Sequence, residues 1–374
     1  MSRVISKHIF NYPLNGVLDE HIVDNNGNIV EDERKMSMST VALMLKANQM
    51  AIEHQLKSSI EHEFCSIHDP ESNSEYTNGV RKSAEETFAL KSNHATLTKA
   101  TEGCIRSKIM VPTTHQGIYD VYVNVYTPKK LERSKNRATV IYAHGGGAVA
   151  LSAEDFKNWR AHFAIECGVV VFDIEYRQTL QTKDPNNARD FYAVIKHVSE
   201  NAAELGIDSS KIAISGEGVG GYICFGAMVM LAQNDESSLV KLAMPDIPMV
   251  GDLAFSDPMA MTKEERETSF MMRKTWRLIA SDMDKQKEDP LLFPGKASDE
   301  LLAKMPPTII LECEFDMFLT EAGRMANRLR AAGRLLEYVV IPGCKHGSTF
   351  NPNFNCFRTA IDVRKLAFKE YLHN

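Results

Sequence analysis

The sequence predicts an α/β protein built on a mostly parallel central sheet covered by helices on both faces. Two observations carry that prediction. Short apolar runs recur at Thr139–Ala143, Val169–Ile174, Lys211–Ser215, Thr308–Cys313 and Glu337–Ile341. Runs of that length suit strands buried on both sides of a parallel sheet. Between them lie helical patterns near 187–200, 219–232, 320–332 and 357–372, the alternation that right-handed crossovers require.

Ahead of this array, Val121, Val123 and Val125 alternate with polar or aromatic neighbours, as in a strand with one buried face. From Met1 to about Thr101 the chain is more polar. Val41, Met44, Leu45, Ile52, Leu56 and Ile60 fall mostly at helical spacing, so a helix is expected over about 40–63. Asp69–Asn78 reads as an exposed loop. Residues 1–104 are therefore expected to form an N-terminal helical extension or cap, and residues 105–374 the α/β domain. One segment breaks the alternation. Thr262-Lys263-Glu264-Glu265 is a capping box opening a helix to about Met283. It reads either as one more packing helix or as part of a cap inserted over about 250–300. Met259, Met261, Phe270, Met271, Met272 and Trp276 suit an apolar pocket, or simply a cap packed onto the core.

Composition narrows the function. The chain has 374 residues, 44% of them apolar and 25% charged, with a net charge of −6 and a pI near 6.1. An acidic balance argues against a nucleic-acid partner, which needs clustered Lys and Arg. The longest apolar run, Ile223–Ala232, is about half of what a bilayer span needs, and Met1–Val17 lacks the apolar core of a signal peptide. Seven cysteines (Cys65, Cys104, Cys167, Cys224, Cys313, Cys344, Cys356) contain no C-x-x-C pair. They read as reduced thiols of a cytoplasmic protein rather than disulfides or a zinc site.

Four loops carry the chemistry. His144-Gly145-Gly146-Gly147 directly follows the strand Thr139–Ala143, and its glycines let backbone N–H groups point into a cleft, as an oxyanion hole requires. Gly216-Glu217-Gly218-Val219-Gly220-Gly221 stands between a strand and an apolar helix, the setting of a nucleophile elbow. A dinucleotide-binding loop would instead be expected on the first βα unit. Glu314-Phe315-Asp316 and Lys345-His346-Gly347 follow the next strands. Taken singly, Asp316 reads as a helix cap and His346 as a loop histidine. Taken with the other two motifs, they stand in the elbow, acid, histidine order of a triad.

This combination resembles the hormone-sensitive-lipase group (bacterial family IV) of carboxylesterases, over roughly Ile105 to the C-terminus. The resemblance implies an α/β-hydrolase fold with a helical cap, no metal or organic cofactor, and a small-molecule ester or apolar ligand as partner. Some relatives pair through an edge strand, so the resemblance implies a homodimer. By position, Gly146, Gly147 and the Val219 N–H would form the oxyanion hole, His346 would be the general base and Asp316 its orienting acid. His144, Gly145 and Glu217 would support the motif. The departure is at the nucleophile, where Gly218 replaces serine. Ser215 should point into the sheet, Cys224 should be a buried thiol, and Glu217 should anchor the turn, so none of them substitutes. Three readings stay open. The chain is an esterase that has lost its serine, a ligand-binding pseudoenzyme, or a lyase or cyclase that moves protons with the His–Asp pair.

Overall fold

A computed structural model describes residues 21–23, 29–32, 95–113, 119–179, 182, 185–251, 276–277 and 279–373. The helix expected over 40–63, the loop at 69–78 and most of the helix opened by Thr262 lie outside the described residues. Two short strands, β1 (His21–Val23) and β2 (Ile29–Asp32), pair antiparallel. Helix α1 (Ala95–Thr101) leads into the main sheet, whose strands are β3 (Cys104–Thr113), β4 (Tyr119–Pro128), β5 (Arg137–Ala143), β6 (Val170–Glu175), β7 (Ile207–Glu217), β8 (Leu242–Asp246), β9 (Thr308–Phe315) and β10 (Leu335–Lys345). The helices after β5 are α2 (Lys157–Cys167), α3 (Asn186–Glu200), α4 (Val219–Gln233), α5 (Met283–Gln286), α6 (Asp299–Lys304), α7 (Leu319–Ala331) and α8 (Asn355–Phe368).

The eight strands stand in the order β10-β9-β8-β7-β5-β6-β4-β3. All pairs from β10 through β6 are parallel, and β4 runs antiparallel to both β6 and β3. Alternate residues of each central strand feed two cores. In β5, Ile141 and Ala143 join one cluster with α3, α4 and α7, while Val140 and Tyr142 join the other with α1, α2 and α8. Both faces are dry, which is why the strands read as unbroken apolar runs.

Helix α4 is buried along its whole length from Val219 to Ala232. The long apolar run in the sequence is thus a core helix, apolar on all sides because protein surrounds it. No described helix is long and apolar enough to cross a membrane. Trp276 stacks edge-on against Tyr222 of α4 and lies 4.7 Å from Phe293. The described part of the 250–300 segment therefore packs its aromatic residues into the α4 core. The six described cysteines are free thiols.

Three elements escape the sequence patterns. Strand β8 reads Leu-Ala-Met-Pro-Asp, and its proline argues against a central strand. Strand β3 lies at the sheet edge and exposes Arg106, Ser107 and Lys108. Helix α2 buries Asn158, Arg160 and His162 among its apolar residues, so no amphipathic stripe marks it.

Candidate active site

From β5 the chain passes to β6 on one side and then returns to β7 on the other. Such a reversal opens a crevice at the carboxyl ends of the two strands, the usual ligand site of an open α/β sheet. His144–Gly147 follows β5 and Gly216–Gly221 joins β7 to α4 at this crevice. Asp316 follows β9 and His346 follows β10 along the same rim.

The elbow is held tightly. Gly218 adopts φ 58° and ψ −114°, outside the regions an L-residue enters freely. Its N–H donates to the Asp246 carbonyl at 3.1 Å, and its carbonyl accepts from Tyr222 and Met249, each at 3.2 Å. A β carbon at Gly216 or Gly220 would collide with backbone, for Gly220 the Ala143 carbonyl. Strand and helix therefore approach closely only because these two side chains are missing.

His346 Nδ1 lies 2.8 Å from Asp316 Oδ2. The other Asp316 oxygen accepts the Phe318 N–H at 2.9 Å, and the Phe318 ring meets the imidazole edge-on at 5.2 Å. A carboxylate at Nδ1 fixes the tautomer with its proton there and leaves the Nε2 lone pair free. Nε2 points at the elbow, 3.4 Å from where a β carbon on residue 218 would stand. A hydroxyl one bond further out can turn to within hydrogen-bond reach of this nitrogen, about 2.6–3.2 Å. The imidazole can therefore accept a proton from whatever occupies that point.

The loop after β5 lies against the elbow, where a β carbon at Gly145 would stand 3.2 Å from Glu217. Gly146 and Gly147 have φ of 112° and 66°, and the Gly146 carbonyl accepts from Val149 and Ala150. Val219 begins α4, so no carbonyl within the helix takes its N–H. Among the described residues, none accepts a hydrogen bond from the N–H of Gly146, Gly147 or Val219. His144 braces this loop from inside the protein. Its Nδ1 lies 2.7 Å from the Gly145 carbonyl, and Tyr176 stacks on the ring at 4.3 Å. Burial pushes its pKa down to about 3, so the ring is neutral.

A buried ion cluster joins this loop to the elbow. Glu217 Oε1 accepts the Gly145 N–H and one Arg160 N–H, each at 3.1 Å. Arg160 Nε donates to Asp173 at 2.9 Å, and its guanidinium lies 3.7 Å above the Tyr142 ring. Behind it, Asp246 accepts from Arg364 at 2.9 Å and from the Tyr142 hydroxyl at 3.1 Å. Arg160, Asp173, Asp246 and Arg364 are absent from the sequence reading; a cation inside an apolar strand–helix array is the one signal that points to them. Ser215 turns into the sheet and donates to the Met244 carbonyl at 2.7 Å. Cys224 is buried in α4, its thiol pushed well up by desolvation. Among the described residues, no cluster of three His, Cys, Asp or Glu side chains could hold a metal ion.

With this sheet, elbow and rim, the chain belongs to the α/β-hydrolase-fold family, whose profile matches residues 140–350, more than half of the sequence. Proteins that it is similar to include esterases. Carboxylesterase NlhH of Mycobacterium tuberculosis is 29% identical over 248 residues, spanning 62% of this chain and 72% of that protein. Ethyl acetate hydrolase of Pseudomonas putida is 26% identical over 239 residues, 63% of this chain and 73% of that one. Among solved structures, an esterase of Pyrobaculum calidifontis superposes with a TM-score of 0.67 at 26% identity, covering 79% of this chain and 93% of the esterase.

Proposed function

We propose that this chain is a carboxylic-ester hydrolase scaffold for short- to medium-chain or aryl esters, inactive or severely impaired because residue 218 offers no nucleophile. One observation carries the reading: His346 Nε2, backed by Asp316, faces position 218 at the distance a serine there would need. In the complete reaction a serine hydroxyl at position 218 would give its proton to His346 and attack the ester carbonyl. The Gly146, Gly147 and Val219 N–H groups would receive the charge developing on the carbonyl oxygen. Asp316 would hold the imidazole in place and stabilise its cation. Residues 1–104 and the insertion near 250–300 would close over the acyl group as a cap. As the chain stands, two contributions survive. Backbone donors and binding alone retain about 10³–10⁴ over water in the serine-protease precedent. Water activation by His346 supplies about 10²–10⁴. Both fall short of ordinary enzymatic rates.

Gly218→Ser tests the reading. The variant should hydrolyse p-nitrophenyl acetate or butyrate and react covalently with a fluorophosphonate, and His346→Ala in that background should remove both properties. No gain in either assay would count against an esterase site and leave the ligand-binding alternative. Turnover of any substrate by the unaltered chain that His346→Ala abolishes would instead favour a lyase or cyclase.

A further inference from the structure

Asp316 has a companion that the reaction above does not use. Glu312, four residues earlier on β9, is fully buried. Its Oε1 accepts the Cys313 N–H at 2.9 Å. Its Oε2 is buried and meets no donor. The side chain beside it is Asp316, close enough for a hydrogen bond. Among the described residues, the other ionisable groups near it, the Cys313 thiol included, are acidic too. Glu321 approaches from α7 and Tyr338 from β10. Glu321 already accepts the Val250 N–H at 2.6 Å, and the Tyr338 hydroxyl donates to the Leu319 carbonyl at 3.3 Å.

Two carboxylates in contact in a dry site repel each other, and neither can donate. One proton between them converts the clash into a hydrogen bond and satisfies the orphan oxygen. Asp316 is the natural acceptor of that hydrogen bond, because its two oxygens already accept from Phe318 and His346. We infer that Glu312 stays protonated and donates its O–H to the Asp316 carboxylate, as a positioning residue that sets the basicity of His346 through Asp316. Burial and the adjacent Asp316 both raise the pKa of Glu312 well above the usual carboxylate range, in agreement. Its importance for catalysis rests on the esterase reading, but its test does not.

The test is a pH titration of the His346 ring signals by NMR in the full-length protein, with the signals assigned through their loss in His346→Ala. Glu312→Gln still presents an N–H donor to Asp316 and should leave the His346 pKa within a few tenths of native. Glu312→Leu removes the donor, so Asp316 turns its full charge on the imidazole, and the His346 pKa should rise by about half a unit or more. A fall in both variants would mean that Glu312 is ionised in the native protein, and no shift in either would mean a purely structural carboxyl; each overturns the proposal. Should Glu312→Leu fail to fold, infrared spectroscopy at pH 7 decides. The native-minus-Glu312→Gln difference spectrum should show a protonated-carboxyl C=O band, and the lack of one would overturn the proposal. In the Gly218→Ser background, missing ester hydrolysis would count against the esterase reading alone.

Discussion

At residue 218, backbone and chemistry pull in opposite directions. The elbow dihedrals of φ 58° and ψ −114° cost a glycine little and any L-residue much more. Returning a serine should therefore lower the unfolding free energy by about 1–3 kcal/mol. Gly218→Ala should carry the same cost without any gain in ester hydrolysis, which separates strain from chemistry in one pair of urea titrations. Equal midpoints for the native protein and both variants would show that the turn is not strained. The sequence made this position legible because glycines flank it at fixed spacing between a strand and a helix. Its dihedral cost was not legible, since that depends on Asp246, Tyr222 and Met249 gripping the turn from distant segments.

At the scale of elements, Glu217 decides whether the walls of the site stay in register. It ties the Gly145 N–H to Arg160, and Arg160 reaches back to Asp173 at the heart of the sheet. Glu217→Ala should destabilise the fold by about 3–5 kcal/mol, because it leaves a buried guanidinium partly uncompensated and a backbone donor without its acceptor. Chemical denaturation of the purified variant measures this. Gly220→Ala should be at least as damaging, since its β carbon meets the Ala143 carbonyl rather than a side chain that can move aside. Its expected signature is loss of soluble folded protein. The loops at this rim were legible from their motifs, and the main strands from their apolar runs. Strand β8 and helix α2 were not, because Pro245 and the buried Arg160 break the patterns that mark a core strand or an amphipathic helix.

For the whole molecule, acid stability turns partly on a histidine that cannot take a proton in place. Burial holds His144 down at about 3, against an ordinary value of 6.5. The folded state therefore binds fewer protons than the unfolded chain between these values, and stability falls as pH drops through that window. Between pH 7 and pH 5 this residue should cost about 2 kcal/mol. Urea titrations at the two pH values should show the loss, and His144→Gln should reduce it by that amount; an unchanged difference would assign the acid sensitivity elsewhere. The two ends of the sheet, meanwhile, differ in what they tolerate. All four motif loops occupy the carboxyl ends of the strands, while Gly168 and Gly333 turn at the other end with nothing within 4 Å of a substituent there. Both keep positive φ, 67° and 70°, so a side chain there is strained despite the room. Ala331→Cys, exposed on the last turn of α7 beside Gly333, should take a thiol label without a change in melting temperature, a handle for surface attachment with the crevice facing outward.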